Sequence, residues 1–448
     1  MKRYTQTFQY PESTNDLSVM IDGEVHNPTR EEFYTNYPFF KYWNKENNEK
    51  LSKPDGINIY IHIPFCIQIC DYCFYMKELI KSKDQVDTYV DNLCKEIELV
   101  SSVYSLSNRN IDAIYFGGGT PSVLTKQQLD KIINALHKHH NFVPTEFSFE
   151  AEPGTFSKSK LEMYKSVGVN RISMGVQSFV DEIIELSSRK HTGEQAIKSI
   201  ETVKEVGGFE LNIDLLSGLA GEDMHSWQRS LEISIEQDID MLTIYKMKNY
   251  SNTNFFMKSV HNKELQLPNE KEEIAFMDVA FDTLLSSGFD MWSTFAFNRN
   301  NTKVTYIENS WRGKDMIAYG ASSFGKIGNI NYQNLNNINL YSERIGKGQL
   351  PVYRTYAMSY KDMIVKELLL CSRLFSYTKD EFVEKFGFDY FNFIPETIDQ
   401  LQLKGYIHDN TDELVLTKRG VLFADFVAKV LSSSVKDKLK KDKINFVY

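Results

Sequence analysis

Long apolar runs are missing from this chain. No stretch approaches the roughly 18 consecutive apolar residues of a membrane-spanning helix, so no span is expected. The N-terminus, MKRYTQTFQYPEST, lacks the apolar core of a signal peptide. Cysteine is scarce. There are five in 448 residues, three of them clustered, which excludes a disulfide framework and points to a reducing, cytoplasmic setting. Positive charge is not in excess: net charge is −9 and the pI is near 5.6, which argues against a non-specific nucleic-acid binder. Internal repeats and low-complexity segments are absent as well.

What is present is a large globular chain. With 42% apolar and 25% charged residues it can bury a substantial core, and its length suits two or three domains or one barrel with appendages. Residues 1–55, without sustained periodicity, read as an N-terminal arm. From Ile57 the pattern alternates. Strand-like runs at 57–63, 111–116, 146–150, 171–175, 210–216 and 240–246 are separated by amphipathic stretches, the first carrying Val86, Tyr89, Val90, Leu93, Ile97 and Val100 at helical spacing. Six βα units predict an α/β fold whose parallel sheet curls into an open or complete barrel over 56–295, with chemistry at the C-terminal strand ends. A helix is expected over 268–286, followed by an aromatic, Asn- and Gly-rich region through 355. Then come a winged-helix-like domain over 356–435, with a helix at 396–404, a hairpin around Asp409 to Glu413 and a helix from Lys418, and a Lys-rich tail over 436–448. The acidic chain speaks against a DNA-reading wing.

Three groups of residues carry chemistry. Cys66, Cys70 and Cys73 follow the first strand; by themselves they also suit a zinc knuckle short of one ligand, or structural cysteines. Gly117, Gly118 and Gly119, then Thr120, end the second strand in Tyr115-Phe-Gly-Gly-Gly119-Thr120-Pro121-Ser122. Glycine there lets backbone groups approach a ligand, and a tight turn or a phosphate loop are the other readings. Glu150, and the stretch Gly168-Val-Asn-Arg171-Ile-Ser173-Met-Gly175-Val-Gln177-Ser178-Phe179, lie at later strand ends, joined by Arg189 and Asp214. Such groups bind ribose hydroxyls or form rim salt bridges. Cys94 and Cys371 read as core packing, His137, His139 and His140 as a solvated helix end, and His62 as support near the cysteines.

Taken together, Cys66-x-x-x-Cys70-x-x-Cys73, YFGGGTPS, GVNRISMGVQSF, NIDLLSGLAG and YGASSFGKIGNINYQN resemble the oxygen-independent coproporphyrinogen III oxidase-like branch of the radical S-adenosylmethionine (SAM) superfamily over about residues 33–430. The resemblance implies a partial (β/α)6 TIM-like barrel with a C-terminal winged-helix-like domain, and a family-specific connector or substrate region at 296–355. It implies a [4Fe-4S] cluster on Cys66, Cys70 and Cys73 with one iron left open, and one or two SAM molecules. The contacts it implies for SAM are Tyr60, the ring of Tyr72 beside the adenine, Gly117 to Gly119, Thr120, Glu150, Gln177, Arg189 and Asp214. It also implies a reduced flavodoxin- or ferredoxin-type electron donor and a tetrapyrrole or heteroaromatic substrate.

The departures from the family pattern bear on the reaction. Where coproporphyrinogen oxidases usually carry a further cysteine, two residues after the third, this chain has Tyr75, and Leu219-Ala-Gly221 replaces the common Leu-Pro-Gly. The N-terminal Tyr34-Thr-Asn-Tyr37-Pro38, followed by Trp43, is similar to relatives that methylate or open conjugated rings. The expectation is therefore a radical SAM enzyme that transfers a methyl or carbon unit from a second SAM to a porphyrin-like or heteroaromatic substrate. Coproporphyrinogen oxidation is the alternative enzymatic reading. A haem chaperone is the non-enzymatic one, although those chaperones generally begin close to the cysteine loop and here 65 residues precede Cys66.

Overall fold

The computed structural model describes residues 16–28, 37–44, 57–141, 144–375, 377–408, 410 and 412–441. Most of the expected arm, Tyr34 included, lies outside them, as do residues 409 and 411 of the expected hairpin and 442–448 of the tail.

The six strands predicted from the sequence form: β1 (Ile57–Ile63), β2 (Ile111–Gly118), β3 (Glu146–Ala151), β4 (Arg171–Gln177), β5 (Glu210–Ser217) and β6 (Met241–Lys246). They pair in parallel in chain order, which requires a crossover between each pair. Most of the helices that make the crossovers start on side-chain caps, among them Ser82 for α1 (Lys83–Tyr104) and Thr125 for α2 (Lys126–His139). The outer face of β1 is aliphatic because those helices cover it: Ile57, Ile59, Ile61 and Ile63 are 0% exposed. Tyr60, on the opposite face, is only half-buried and looks into the curl of the sheet.

The sheet has twice as many strands as the patterning shows. β7 (Asp290–Ser293) and β8 (Ala296–Asn298) add to β6 as an antiparallel hairpin. β9 (Asp315–Tyr319) pairs in parallel with β1, and β10 (Phe324–Ile327), β11 (Ile330–Asn334) and β12 (Val352–Ala357) continue as an antiparallel meander. The order is β7-β8-β6-β5-β4-β3-β2-β1-β9-β10-β11-β12, with two unjoined edges, so the barrel is open. These extra strands are short, three to six residues, and Asn331, Gln333 and Asn334 are buried in β11, so no apolar run marks them.

Helix α3 (Thr305–Trp311) closes the lower end of the curl: Asn58 bonds the Tyr306 carbonyl at 2.9 Å, and Tyr306 stacks on Tyr115. The C-terminal domain is helical. It comprises α4 (Tyr360–Cys371), α5 (Lys379–Phe386), α6 (Pro395–Leu403), α7 (Lys418–Leu422) and α8 (Ala424–Lys441), with an antiparallel bridge between Ile407 and Leu416 before α7. Cys371 is buried in α4, as its apolar context suggests. His140 departs from the solvated helix end expected for it. Its Nε2 meets the Tyr319 hydroxyl at 2.8 Å, and burial lowers its pKa to about 4, so it packs as a neutral ring.

Candidate active site

The cysteine loop leaves β1 at Pro64 and is held on three sides. Phe65–Cys66 pairs with Glu78–Leu79, and Ile80 N–H returns to the Cys66 carbonyl at 3.1 Å. The glycine run locks the loop from the β2 side: Gly119 N–H bonds the Ile63 carbonyl and Thr120 N–H the Phe65 carbonyl, both at 2.8 Å. A Cβ on Gly119 would stand 2.8 Å from the Phe65 oxygen, and one on Gly118, at φ +116°, would strike the His62 ring. The glycines thus admit the protein's own loop, with the Gly118 and Gly119 amides committed internally. On the third side Asp71 accepts from Asn254 at 2.9 Å and pairs with Lys258 at 2.6 Å.

Cys66, Cys70 and Cys73 are all free thiols. Burial pushes the Cys66 thiol up to about 12, the Thr120 hydroxyl opposes the shift, and the other two thiols add to it. Cys70 is also raised by burial, against the pull of Arg189. Thiols raised in this way, as Cys66 and Cys70 are, ionise when something takes up the charge, which suits a metal-centred group. Among the described residues, no three His, Cys, Asp or Glu side chains surround one point as ligands of a single ion would. A cubane cluster bonds each cysteine to a different iron and so holds its thiolates farther apart than one tetrahedral zinc does. Three thiols are one ligand short of a closed tetrahedral zinc site, whereas they suit a four-iron cluster with one iron left open.

Arg189 ties this loop to the sheet. Its guanidinium donates to the Tyr72 hydroxyl at 2.8 Å and the Gly175 carbonyl at 2.6 Å, approaches Cys70 Sγ at 3.5 Å and pairs with Glu152 at 3.3 Å. Glu152 also contacts Gln68 within the loop and accepts from the Thr120 hydroxyl at 3.3 Å. Sequence reasoning passed over Glu152, although it stands two residues beyond Glu150 in the same stretch. Tyr72, expected beside a ligand, has its hydroxyl on Arg189 and its ring edge-on to Phe255.

The remaining predicted residues line the lumen just below. Tyr60, Gly118, Glu150, Gly175, Gln177 and Asp214 are half-buried in strands whose other positions are mostly fully buried, so the sheet opens there. Glu150 accepts from the Tyr115 hydroxyl at 2.9 Å and Gly118 N–H at 3.0 Å. Asp214 accepts from Ser173 at 3.1 Å and Asn212 at 2.8 Å. Burial raises Glu150 to about 7, reinforced by Asp214, and raises Asp214 to about 6, while Arg171 pulls both back. Gln177 sits at φ +69° where the β4–β5 register shifts, a bulge that re-aims its side chain. His62 bonds the Tyr60 hydroxyl at 3.0 Å and is held neutral, near 4, by burial. Tyr75 is 58% exposed and stacks on Phe74, with its hydroxyl in the field of Glu150 and Cys73. Cys94 and Cys371 lie on helices outside this cluster.

Residues 60–233 match the model of the Radical SAM superfamily. The chain is 28% identical over 371 residues to the heme chaperone HemW of Bacillus subtilis, covering 82% of this chain and 97% of that protein. It is 26% identical over 419 residues to the oxygen-independent coproporphyrinogen III oxidase of Helicobacter pylori, covering 86% and 90%. Among solved structures, the coproporphyrinogen III oxidase HemN of Escherichia coli shares the fold, with a TM-score of 0.78 at 21% identity over 90% of this chain and 97% of that one. No helix among the described residues is long and apolar enough to cross a membrane.

Proposed function

Because the chain carries a radical SAM domain, whose cofactors are a [4Fe-4S] cluster and S-adenosylmethionine, we propose that it is an enzyme acting on a flat tetrapyrrole-like or heteroaromatic substrate in the open lumen, by methyl or carbon transfer from a second SAM. The observation that carries this reading is the opening of the parallel sheet at Tyr60, Glu150, Gln177 and Asp214, directly beside three free thiols.

Cys66, Cys70 and Cys73 would hold the cluster, and Tyr60, Tyr72, Gly117 to Gly119, Thr120, Glu150, Gln177, Arg189 and Asp214 would serve SAM. Reduced by a flavodoxin- or ferredoxin-type donor in a reducing compartment, a cluster held there would supply one electron for the reductive cleavage of SAM. The protein's own share is placement and exclusion. Arg189 puts a fixed positive charge next to Cys70 and favours its thiolate form. Glu150 and Asp214 offer acceptors for an ammonium or for ribose hydroxyls, their remaining lone pairs already oriented by Tyr115, Ser173 and Asn212. Such a cation would also draw their raised pKa values back down. Tyr60, Tyr115 and Tyr306 wall the lower lumen and keep water from a reactive intermediate.

Tyr75 supports carbon transfer over coproporphyrinogen oxidation, because it puts a phenol where the oxidases usually have a cysteine, and that phenol faces the lumen. The full-length similarity to a heme chaperone favours a second reading, haem transfer to an acceptor protein. SAM labelled in its methyl group separates these readings on incubation with a tetrapyrrole. Label in the product supports carbon transfer, carbon dioxide release without label supports the oxidase, and unaltered bound haem with no SAM consumption supports the chaperone.

A further inference from the structure

Residues 319–334, YGASSFGKIGNINYQN, converge on a carboxylate buried in helix α1. Glu96 is 0% exposed and accepts from the Gly320 N–H at 2.7 Å, the Asn334 amide at 2.7 Å and the Tyr341 hydroxyl at 2.5 Å. Its donors come from the turn after β9, the end of β11 and the helix Ile338–Gly346, and none is a cation. Burial raises its pKa to about 7, and each donor pulls it back. A carboxylate buried without a cation is costly. What it adds over an apolar side chain is a fixed place for every donor that meets it.

Tyr89 lies about two turns earlier on the same face of α1. Its hydroxyl donates to the His62 carbonyl at 2.8 Å and accepts from the Ala321 N–H at 3.0 Å. Its ring meets Phe65 edge-on, with centroids 5.3 Å apart, and lies 5.6 Å from the ring of Tyr341. Gly320, at φ +97°, makes the approach possible: a Cβ there would stand 2.5 Å from the Tyr89 hydroxyl oxygen and 2.6 Å from the His62 carbonyl oxygen. His62 and Phe65 flank Pro64, where the cysteine loop leaves β1, and His62 Nδ1 meets the Tyr60 hydroxyl at 3.0 Å. A continuous set of contacts thus runs from Glu96 through Gly320, Ala321 and Tyr89 to the root of the loop.

We propose that Glu96 and Tyr89 are positioning residues: they fix the Gly320–Ala321 turn against the end of β1, and so set how Cys66 is presented to a cluster and the Tyr60 hydroxyl to the lumen. Both act through the backbone of residues 62–65. This rests on the reading that Cys66, Cys70 and Cys73 hold a cluster.

Tyr89→Phe keeps the ring and removes only the hydroxyl. Wild type and variant, reconstituted anaerobically, are challenged with EDTA while the visible cluster band is followed, and urea midpoints of the cluster-free proteins are measured alongside. Glu367→Gln is the control, since it alters a carboxylate buried on α4 and paired with Lys385, away from the loop. Tyr89→Phe should lose the band about ten-fold faster than the wild type. Glu96→Gln should shift the rate in the same direction, and Glu367→Gln should keep the wild-type rate even where its urea midpoint falls as far. Should Glu96→Gln fail to fold, Tyr89→Phe decides. A wild-type rate in Tyr89→Phe, or a rate that Glu367→Gln matches at equal loss of stability, overturns the positioning role and leaves the cluster reading intact. If the wild type itself forms no band, the cluster reading falls and takes the positioning role with it.

Discussion

The two halves of the sheet handle polarity in opposite ways. From β1 to β6 the strands are parallel, their outer faces are aliphatic, and the half-buried polar residues gather near the C-terminal ends around the cysteine loop. From β7 to β12 the strands are short and mostly antiparallel, and Asn331, Gln333 and Asn334 are buried among them, Asn331 against Lys366 of α4 and Asn334 against Glu96 of α1. Function in the first half is bound to strand ends, which any parallel α/β sheet presents at one rim. The second half has no such rim, and its polar side chains are spent on the helices packed against it.

Cysteine replacement should break the first half outright. Cys66→Ala, Cys70→Ala and Cys73→Ala should each lose the broad visible band of an iron–sulfur cluster after anaerobic reconstitution. A band of wild-type intensity in any of them would remove that residue from the ligand set.

Arg189→Met is expected to have the next largest effect. It leaves Glu152 buried without its cation beside the cysteine loop, a change of about 3–5 kcal/mol for a buried pair losing one member. Urea unfolding of the cluster-free protein measures it, and a loss below about 1 kcal/mol would mean that Arg189 does not organise the loop.

The lumen carboxylates give a smaller, pH-dependent effect. Glu150 is raised from 4.5 to about 7 and Asp214 from 3.8 to about 6, so the folded state holds both protons more tightly than the unfolded chain. The stability this contributes is complete below the unfolded values and is lost as pH rises through 6 and 7. Cluster-free wild type should therefore lose about 1 kcal/mol or more between pH 5 and 8, with a shallower slope in Asp214→Asn. Equal slopes in thermal melts would show that Asp214 is solvated.

The least effect is expected at Trp292 on the edge strand β7. The Trp292 indole N–H is buried without a partner, so Trp292→Phe exchanges lost packing for relief of an unpaired donor. A net change within about 1 kcal/mol is expected by urea unfolding.

Legibility in the sequence follows the same division. β1 to β6 could be read because parallel strands covered by helices must be apolar, and the glycines and cysteines fell where those runs ended. Glu152 escaped because its role depends on Arg189 and Gln68, 37 and 84 positions away, meeting it in space. β9 to β12 escaped because Asn331 and Asn334 are buried against tertiary partners, Lys366 and Glu96, that no local pattern announces.

The central claim is that the open sheet beside Cys66, Cys70 and Cys73 cleaves S-adenosylmethionine. Chromatographic measurement of 5′-deoxyadenosine after anaerobic reconstitution, with SAM and dithionite, tests it directly. The account predicts 5′-deoxyadenosine from the wild type and none from Cys70→Ala. A wild type fully loaded with iron and sulfide that forms none would contradict it.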